Sequence, residues 1–516
     1  MGSRVIVVGA GSAGCAVAGR LAERGSTVDL IEAGPDWRSE SCDDEIRRPS
    51  DDIFAWRVDG RAASRFAFPD VTATRFDGRD ALPYLRGWGM GGTSSLNGLV
   101  VVRPPDDEFD HWTELGCAGW GPHDVLPAFI RLEDDLDYGA APYHGRGGPT
   151  PVVRRGEHEW GSGDRLLAHG AAAAGHDWAP DYNRPGALGV SRTASNIRLG
   201  VRVTSYDGYV EPWREDGRIV VHADRLVARV IVRDNRAVGV ELRAPDGTVQ
   251  VVEADQVVLA AGAAATPGLL ERSGIGSDQL LARLGIAQHA SLPVGEGIQD
   301  HVGFWLSAGL DSAQPAANGA RGNVTLRYSS GLAHSRSGDL LVVAANPPSP
   351  DFREVAFGVK LGHCASRGSS HIVSDDPRVA SGIRLNLLGD ERDLATGRHA
   401  LRTATALLSH GGRIVRDRNG EPVDARWDDA TIDAWLLRCA TDTSHLSGGA
   451  VMGADTDPGS VVDPRLRVHG IRGLTVADLS ICPVVPRANT YLTSLMIGER
   501  AADFVTEELA RPDGRR

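Results

Sequence analysis

The sequence predicts an α/β chain in which a nucleotide-binding domain is interleaved with a second, sheet-based domain, and three observations predict it. Gly9-Ala10-Gly11-Ser12-Ala13-Gly14 directly follows an apolar run at 4–8. From about 301 to 440 strand-like segments continue, but no glycine fingerprint recurs. Beyond them, short polar segments around His445 and Asn489 lie inside sequence that again has nucleotide-fold character. This layout carries the reactive ring of a dinucleotide anchored by the N-terminal segment to residues of the C-terminal segment, which implies redox chemistry.

The elements follow in order. Residues 4–8, the glycines, the Ala/Leu/Val spacing of 12–23 and the run 27–32 read as strand, tight turn, helix and strand. Gly9 permits the turn, Gly11 lets backbone approach a pyrophosphate, Gly14 allows close helix packing, and the helix starting at Ser12 stabilises phosphate charge at its N-terminus. Glu32 stands eighteen residues beyond Gly14, where an acid accepts hydrogen bonds from the adenosine ribose hydroxyls and repels a 2′-phosphate. The unit indicates an adenine dinucleotide without choosing FAD over NAD.

Residues 46–80 are irregular and carry Phe54, Trp56, Phe66, Phe68 and Phe76. They read either as a lid or cofactor-covering loop, with Trp56 a candidate for the substrate pocket, or as a long loop pinned by its aromatics. The stretch from Gly87 through Gly98, GWGMGGTSSLNG, combines pliable backbone with hydroxyl and amide groups suited to a flat polar heterocycle; a Gly/Ser structural loop is the alternative. Strands are expected at 219–222, 226–232, 237–242, 249–252 and 257–262, punctuated by Asp216-Gly217 and Asp246-Gly247 turns. Small residues at Gly262 can pass close to a cofactor. Further strands are expected at 340–344, 357–361 and 383–387, a helix at 395–408 before Gly411-Gly412, and a last helix at about 492–509. The N-terminus of that last helix, near Thr490 and Tyr491, can stabilise negative charge on a reduced isoalloxazine.

Composition bounds the function. The chain has 516 residues, 41% apolar and 24% charged, enough for about two to four packing units. A formal charge of -13 leaves no broad basic surface, so nucleic acid is not an expected partner. Six scattered cysteines without a CxxC indicate neither a zinc cage nor a disulfide framework, and no metal is expected. Without a leader or an apolar run of spanning length, a cytoplasmic protein with no stable membrane insertion is expected; the oligomeric state is open.

The chemistry is read from His445 and Asn489. Histidine accepts an alcohol proton near neutral pH because its reference pKa is about 6.5, whereas asparagine donates to a developing alkoxide without competing for that proton. Together they make an alcohol a hydride donor: proton to His445, hydride to flavin N5, carbonyl released. His301, His363, His371 and His410 lie near apolar or turn residues and read as satisfied structural groups.

Matching segments run along the chain: VVGAGSAGC from Val7, RGWGMGGTSSLNGLVV from Arg86, Asp181-Tyr182-Asn183, LAAGAAATPGLLERSGIG from Leu259, and Gly295 to His301. At the far end stand HLSGGAVMG from His445, LRVHGIRGLTVADLS from Leu466, and NTYLTSLMIGERAAD from Asn489. On these segments the whole chain resembles the glucose-methanol-choline (GMC) family of FAD-dependent oxidoreductases. Asn489 as partner residue resembles the choline dehydrogenase/oxidase-like branch.

The resemblance implies a Rossmann-like FAD-binding domain of residues 1–150, 206–300 and 440–516. With it is interleaved an α+β substrate domain of residues 151–205 and 301–439 that contains an antiparallel sheet. It places His445 on the active-site base and Asn489 on its partner. It puts Glu32 at the ribose and Gly91, Gly92, Thr93, Asn97 and Gly98 beside the flavin, with Asp478 near the ribityl-pyrophosphate stretch. Ala33, Arg86, Leu99, Val227, Ala261, Gly262, Leu479, Thr490 and Tyr491 complete the implied cofactor contacts, beside Gly9, Gly11, Ser12 and Gly14. Leu387 and Ser444 join Trp56 as substrate-pocket candidates.

Several positions depart from the family pattern. Leu446 replaces the usual proline after the histidine, Gly448-Gly449 replaces a Gly-Thr or Gly-Ser pair, and Tyr491 replaces a frequent asparagine. Leu96 occupies the place of a histidine that bonds FAD covalently in some members, so noncovalent FAD is expected. The implied activity is oxidation of a CH–OH group on a natural-product, sugar-like or apolar alcohol, with oxygen or another carrier as electron acceptor. A lyase of the hydroxynitrile lyase type with structural FAD, and a noncatalytic flavin-binding protein, are the alternatives.

Overall fold

The computed structural model describes residues 4–38, 44–47, 66–320, 322–410 and 412–510. Strand β1 (Arg4–Val8), helix α1 (Ser12–Glu23) and strand β2 (Thr27–Ile31) form as their patterns predict. Both strands are buried beyond their first residue, as continuous apolar runs in parallel sheets are. β1 pairs in parallel with β2 and with Gln256–Leu259; Ile219–His222 extends the sheet beyond β2, and Leu474–Val476 closes the other edge. Distant parts of the chain thus supply one five-stranded parallel sheet, whose strands end at a common edge where a ligand can meet them.

The second sheet is antiparallel. Its order is Val415–Asp417, Val302–Gly309, Glu354–Leu361, Leu340–Ala345, Val324–Tyr328 and Gly189–Arg192, and Thr441–Asp442 also pairs with Val302–Gly309. The Glu391–Ser409 helix packs on this sheet with Ala400, Leu401, Ala404 and Leu408 buried. The fold is therefore a Rossmann-like domain interleaved with an α+β domain built on an antiparallel sheet.

Several elements differ from expectation for local reasons. The strand expected at 383–387 is only Gly382–Arg384, because Asn386 and Leu388 take left-handed φ of 52° and 58°, which an extended ladder does not admit. The helix expected from 395 begins at Glu391, since the Asp390 side chain accepts from Arg392 N at 2.9 Å and caps it. The strand expected at 257–262 runs Gln256–Leu259 and gives way to a turn with Gly262 at φ 87°. Strands Leu226–Arg233, Arg236–Arg243 and Val249–Glu253 form their own three-stranded antiparallel sheet. Within 46–80, residues 48–65, with Phe54 and Trp56, lie outside the described residues. Thr72–Thr74 is a strand paired with Gly382–Arg384 and Leu82–Pro83.

The Tyr491–Leu509 helix crosses α1, and Gly498 makes the approach close: a Cβ there would lie 2.5 Å from Ala13 O. Cys15, Cys117, Cys364, Cys439 and Cys482 are buried free thiols; Cys42 lies outside the described residues. Among the described residues no helix is long and apolar enough to cross a membrane.

Candidate active site

A cavity of about 1820 Å3 is walled by residues of both sheets. Small-molecule pockets usually measure roughly 300–1,000 Å3, so this one has room for a cofactor and a further ligand. Its first wall grows from the end of β1. Gly9 has φ 97°, and its N–H donates to Ile31 O at 2.8 Å. A Cβ at Gly14 would lie 1.9 Å from Gly9 O, so only hydrogen lets α1 start against the turn. A Cβ at Gly11 would meet nothing within 4 Å; that backbone faces open space at a helix N-terminus, where a pyrophosphate is stabilised.

The second glycine loop stacks on the first. Gly91 N donates to Ala10 O at 2.8 Å, and a Cβ on Gly92 would come within 2.8 Å of Gly11 Cα. Buried Arg202 ties the loop down, its guanidinium donating to Ser94 O at 3.0 Å, Asn97 Oδ1 at 2.8 Å and Asn97 O at 2.9 Å. Glu32 accepts from the backbone N–H of Ala10 and Gly34, each at 2.9 Å, and of Gly89 at 3.2 Å. A carboxylate offers about four acceptor sites, so capacity remains for ribose hydroxyls. Asp478 accepts from Gly262 N at 2.8 Å, Thr266 Oγ1 at 2.6 Å and Ser480 N at 2.8 Å, joining two wall turns. Burial raises its pKa.

Of the sequence-predicted cofactor positions, Gly9, Gly11, Ser12, Glu32, Ala33, Arg86, Gly92, Thr93, Asn97, Gly98, Leu99, Val227, Ala261, Gly262, Asp478, Leu479, Asn489, Thr490 and Tyr491 line this one cavity. Gly14 and Gly91 stand behind the wall as close-packing residues. Open backbone at Gly11 and Gly262, the helix start at Ser12 and the acid at the ribose position fit FAD.

His445 and Asn489 line the same cavity. His445 N donates to Asp300 Oδ1 and Oδ2 at 3.0 and 3.1 Å. The Tyr84 hydroxyl donates to Asp300 Oδ2 and accepts from Leu446 N at 3.1 Å and Arg86 Nη2 at 2.5 Å. Leu446 therefore uses a backbone N–H that proline would lack. Ser444 takes φ 61°, its carbonyl accepting from Arg86 Nη1 at 2.8 Å and its N–H donating to Asp442 Oδ2 at 3.0 Å. Burial, then the nearby Asp442 charge, pushes the Asp300 pKa up to about 6.

Two side chains meet the His445 ring at Nδ1. Nδ1 lies 2.7 Å from Thr443 Oγ1 and 3.0 Å from His301 Nδ1. Thr443 gives its hydroxyl proton to Asp300 Oδ1 at 3.3 Å, so Oγ1 accepts from His445 Nδ1–H. Burial and then the Lys360 charge hold the His301 pKa well below its usual value. A neutral His301 accepts at Nδ1. Asn489 Oδ1 accepts from Lys360 Nζ at 3.0 Å.

The structure separates the remaining candidates. Ser444 lines the cavity, Leu387 is buried in the core of the second domain outside the cavity wall, and Trp56 lies outside the described residues. Sequence reasoning missed Lys360 and Arg202 and treated His301 as structural. Lys360 had a signal, an ammonium inside an apolar strand; His301 had none, because its partner lies 144 positions away.

Two family models, both described as GMC oxidoreductase, match residues 3–303 and 365–498. The chain is 32% identical to the 5-(hydroxymethyl)furfural oxidase of Methylovorus sp., with 97% of this chain and 98% of that one covered. It is also 32% identical to an oxygen-dependent choline dehydrogenase of Rhizobium johnstonii, with coverage of 97% and 95%. Among solved structures, pyridoxine 4-oxidase from Mesorbium loti superposes with a TM-score of 0.86 at 26% identity, covering 98% of this chain and 99% of that one.

Proposed function

Because the chain belongs to the GMC oxidoreductase family, we propose that it oxidises a CH–OH group to a carbonyl, with His445 as base and Asn489 as its partner. One observation carries this reading: His445 and Asn489, 44 positions apart, stand in the wall of the cavity that the two glycine loops also line. FAD, when bound, supplies the two-electron acceptor that takes the hydride. His445 takes the hydroxyl proton at Nε2, the ring nitrogen opposite the one that meets Thr443 and His301. Asp300 and Tyr84 hold the backbone of 445 and 446, fixing where that nitrogen stands. Asn489 Nδ2 donates to the alcohol oxygen as charge develops on it, since Oδ1 is engaged by Lys360. FAD is held noncovalently, and oxygen or another carrier reoxidises it; the names of two relatives, an oxidase and an oxygen-dependent dehydrogenase, support oxygen.

The test is anaerobic mixing of FAD-loaded protein with a panel of alcohols. A substrate bleaches the flavin, and His445→Ala slows bleaching by about 10²–10⁴-fold while FAD stays bound. Unchanged bleaching in His445→Ala would remove the base assignment. Cleavage of a cyanohydrin with an unaltered flavin spectrum would select a lyase instead. Peroxide formed per turnover, compared with turnover on an artificial acceptor, distinguishes oxidase from dehydrogenase.

A further inference from the structure

Thr443 brings a hydroxyl to the edge of the His445 ring, with Oγ1 2.7 Å from Nδ1. On its other side the same hydroxyl meets Asp300 Oδ1 at 3.3 Å. An ionised carboxylate only accepts, so the hydroxyl proton goes to Asp300 and a lone pair is left for Nδ1–H. The methyl keeps the hydroxyl on this line. A Cβ built on Gly303 would come within 2.8 Å of Thr443 Cγ2, so the methyl sits against the Val302–Gly309 strand, and a β-branched side chain with its methyl fixed has little freedom left at χ1.

Asp300 is built as a fixed negative charge. It is 2% exposed, and besides the Thr443 hydroxyl its oxygens accept from Thr443 N at 3.3 Å, from His445 N at 3.0 and 3.1 Å and from the Tyr84 hydroxyl. The titratable and charged groups around it are Tyr84 with Arg86 on its hydroxyl, Asp442 with Arg75 on its carboxylate, His301, His445 and Cys364. Burial keeps Tyr84 and Cys364 protonated and His301 neutral. Arg86 favours the Asp300 charge and Asp442 opposes it. With its pKa at about 6, Asp300 still carries that charge near neutral pH, and burial leaves it weakly screened.

We propose that Thr443 is a positioning residue for the base: its hydroxyl bridges His445 Nδ1 to the Asp300 carboxylate, so that the imidazolium formed on taking the alcohol proton faces a buried negative charge through one hydroxyl. The proposal rests on the reading of His445 as the base. In that step the alcohol O–H bond breaks, an N–H bond forms at Nε2, and Nδ1–H stays in place, so the bridge itself moves no proton. It strengthens as the ring becomes charged, because a hydrogen bond from an ionised donor is about twice as strong as a neutral one. A third group orienting a catalytic imidazole is the logic of a nucleophile's triad, here with a hydroxyl set between ring and carboxylate.

The test follows the His445 imidazole by NMR in FAD-loaded protein, its signal being the one absent from His445→Gln. Thr443→Val lowers the titration midpoint of that signal by about one pH unit, whereas Thr443→Ser, which keeps the hydroxyl, holds the wild-type midpoint. In an Asp300→Asn background Thr443→Val moves the midpoint no further. With an alcohol that bleaches the wild-type flavin, Thr443→Val moves the acid limb of the pH–rate profile the same way and lowers its plateau about tenfold, and Thr443→Ser restores both. A midpoint indifferent to Thr443→Val overturns the proposal, as does a full shift that persists beside Asp300→Asn. A midpoint that responds as described while no alcohol bleaches the flavin would sink the oxidation reading and leave the bridge standing.

Discussion

Leu446 shows how one backbone N–H changes what a loop can hold. The Tyr84 hydroxyl joins Leu446 N, Arg86 and Asp300, so the family's usual proline at this position would remove one arm of a buried network. Leu446→Pro is expected to cost about 1–3 kcal/mol, read as a lower midpoint in thermal unfolding of FAD-loaded protein; an unchanged midpoint would deny the network its role. Asp300 gives a pH prediction with a definite sign. Its folded pKa, about 6, lies above the unfolded value near 3.9, so the folded state binds more protons between these values. Its contribution to stability falls as pH rises through that window and is flat above it. Asp300→Asn should remove this slope from a stability profile between about pH 4 and 6. A profile identical to wild type would show that the carboxyl is not perturbed. Beyond the His445 assignment and the departure at Leu446, none of this was legible in the sequence, because Tyr84, Asp300 and His301 meet this loop only after folding.

At the scale of elements, what the sequence discloses is what local period controls. β1, α1 and β2 were legible because alternation between apolar strand, glycine turn and helical spacing is written within thirty residues. The neighbour of β2 was not, since Ile219–His222 joins it from almost two hundred positions away, and crossover order leaves no local trace. The strand at 302–309 was missed for a related reason: Gly303 is buried and Ser307 half-buried because the strand lies between others, so composition understated it. Helix crossings are similarly nonlocal, and Gly498 tests one. The α1 crossing brings the first glycine loop and the segment after Asn489 into register on one cavity. Gly498→Leu would wedge these helices apart at Ala13, with an expected loss of about 1–3 kcal/mol and weaker FAD retention. Measured FAD affinity equal to wild type would show that the crossing does not set the cavity.

At the scale of the whole molecule, the cavity joins parts of the chain that have separate cores. Val8 and Glu32 belong to the parallel-sheet side, Phe304 and Lys360 to the antiparallel sheet, and Asn489 to the C-terminal return. A ligand that touches all of them binds only the assembled state, so it stabilises that state by mass action, about 2.7 kcal/mol at a free concentration one hundred times Kd. The linkage is reversible only if FAD is not chemically attached. Noncovalent attachment is the proposed reading, and Leu96 supports it: it is hydrocarbon, it is buried against Ile46 and Phe66, and it lies outside the cavity wall. Acid precipitation of the yellow protein should therefore leave the colour in the supernatant. The stripped protein should unfold at a lower temperature, and added FAD should raise its midpoint in a concentration-dependent way. Colour remaining with the pellet would place a covalent bond at some other residue. A midpoint indifferent to FAD would mean that the two cores do not meet through the cofactor.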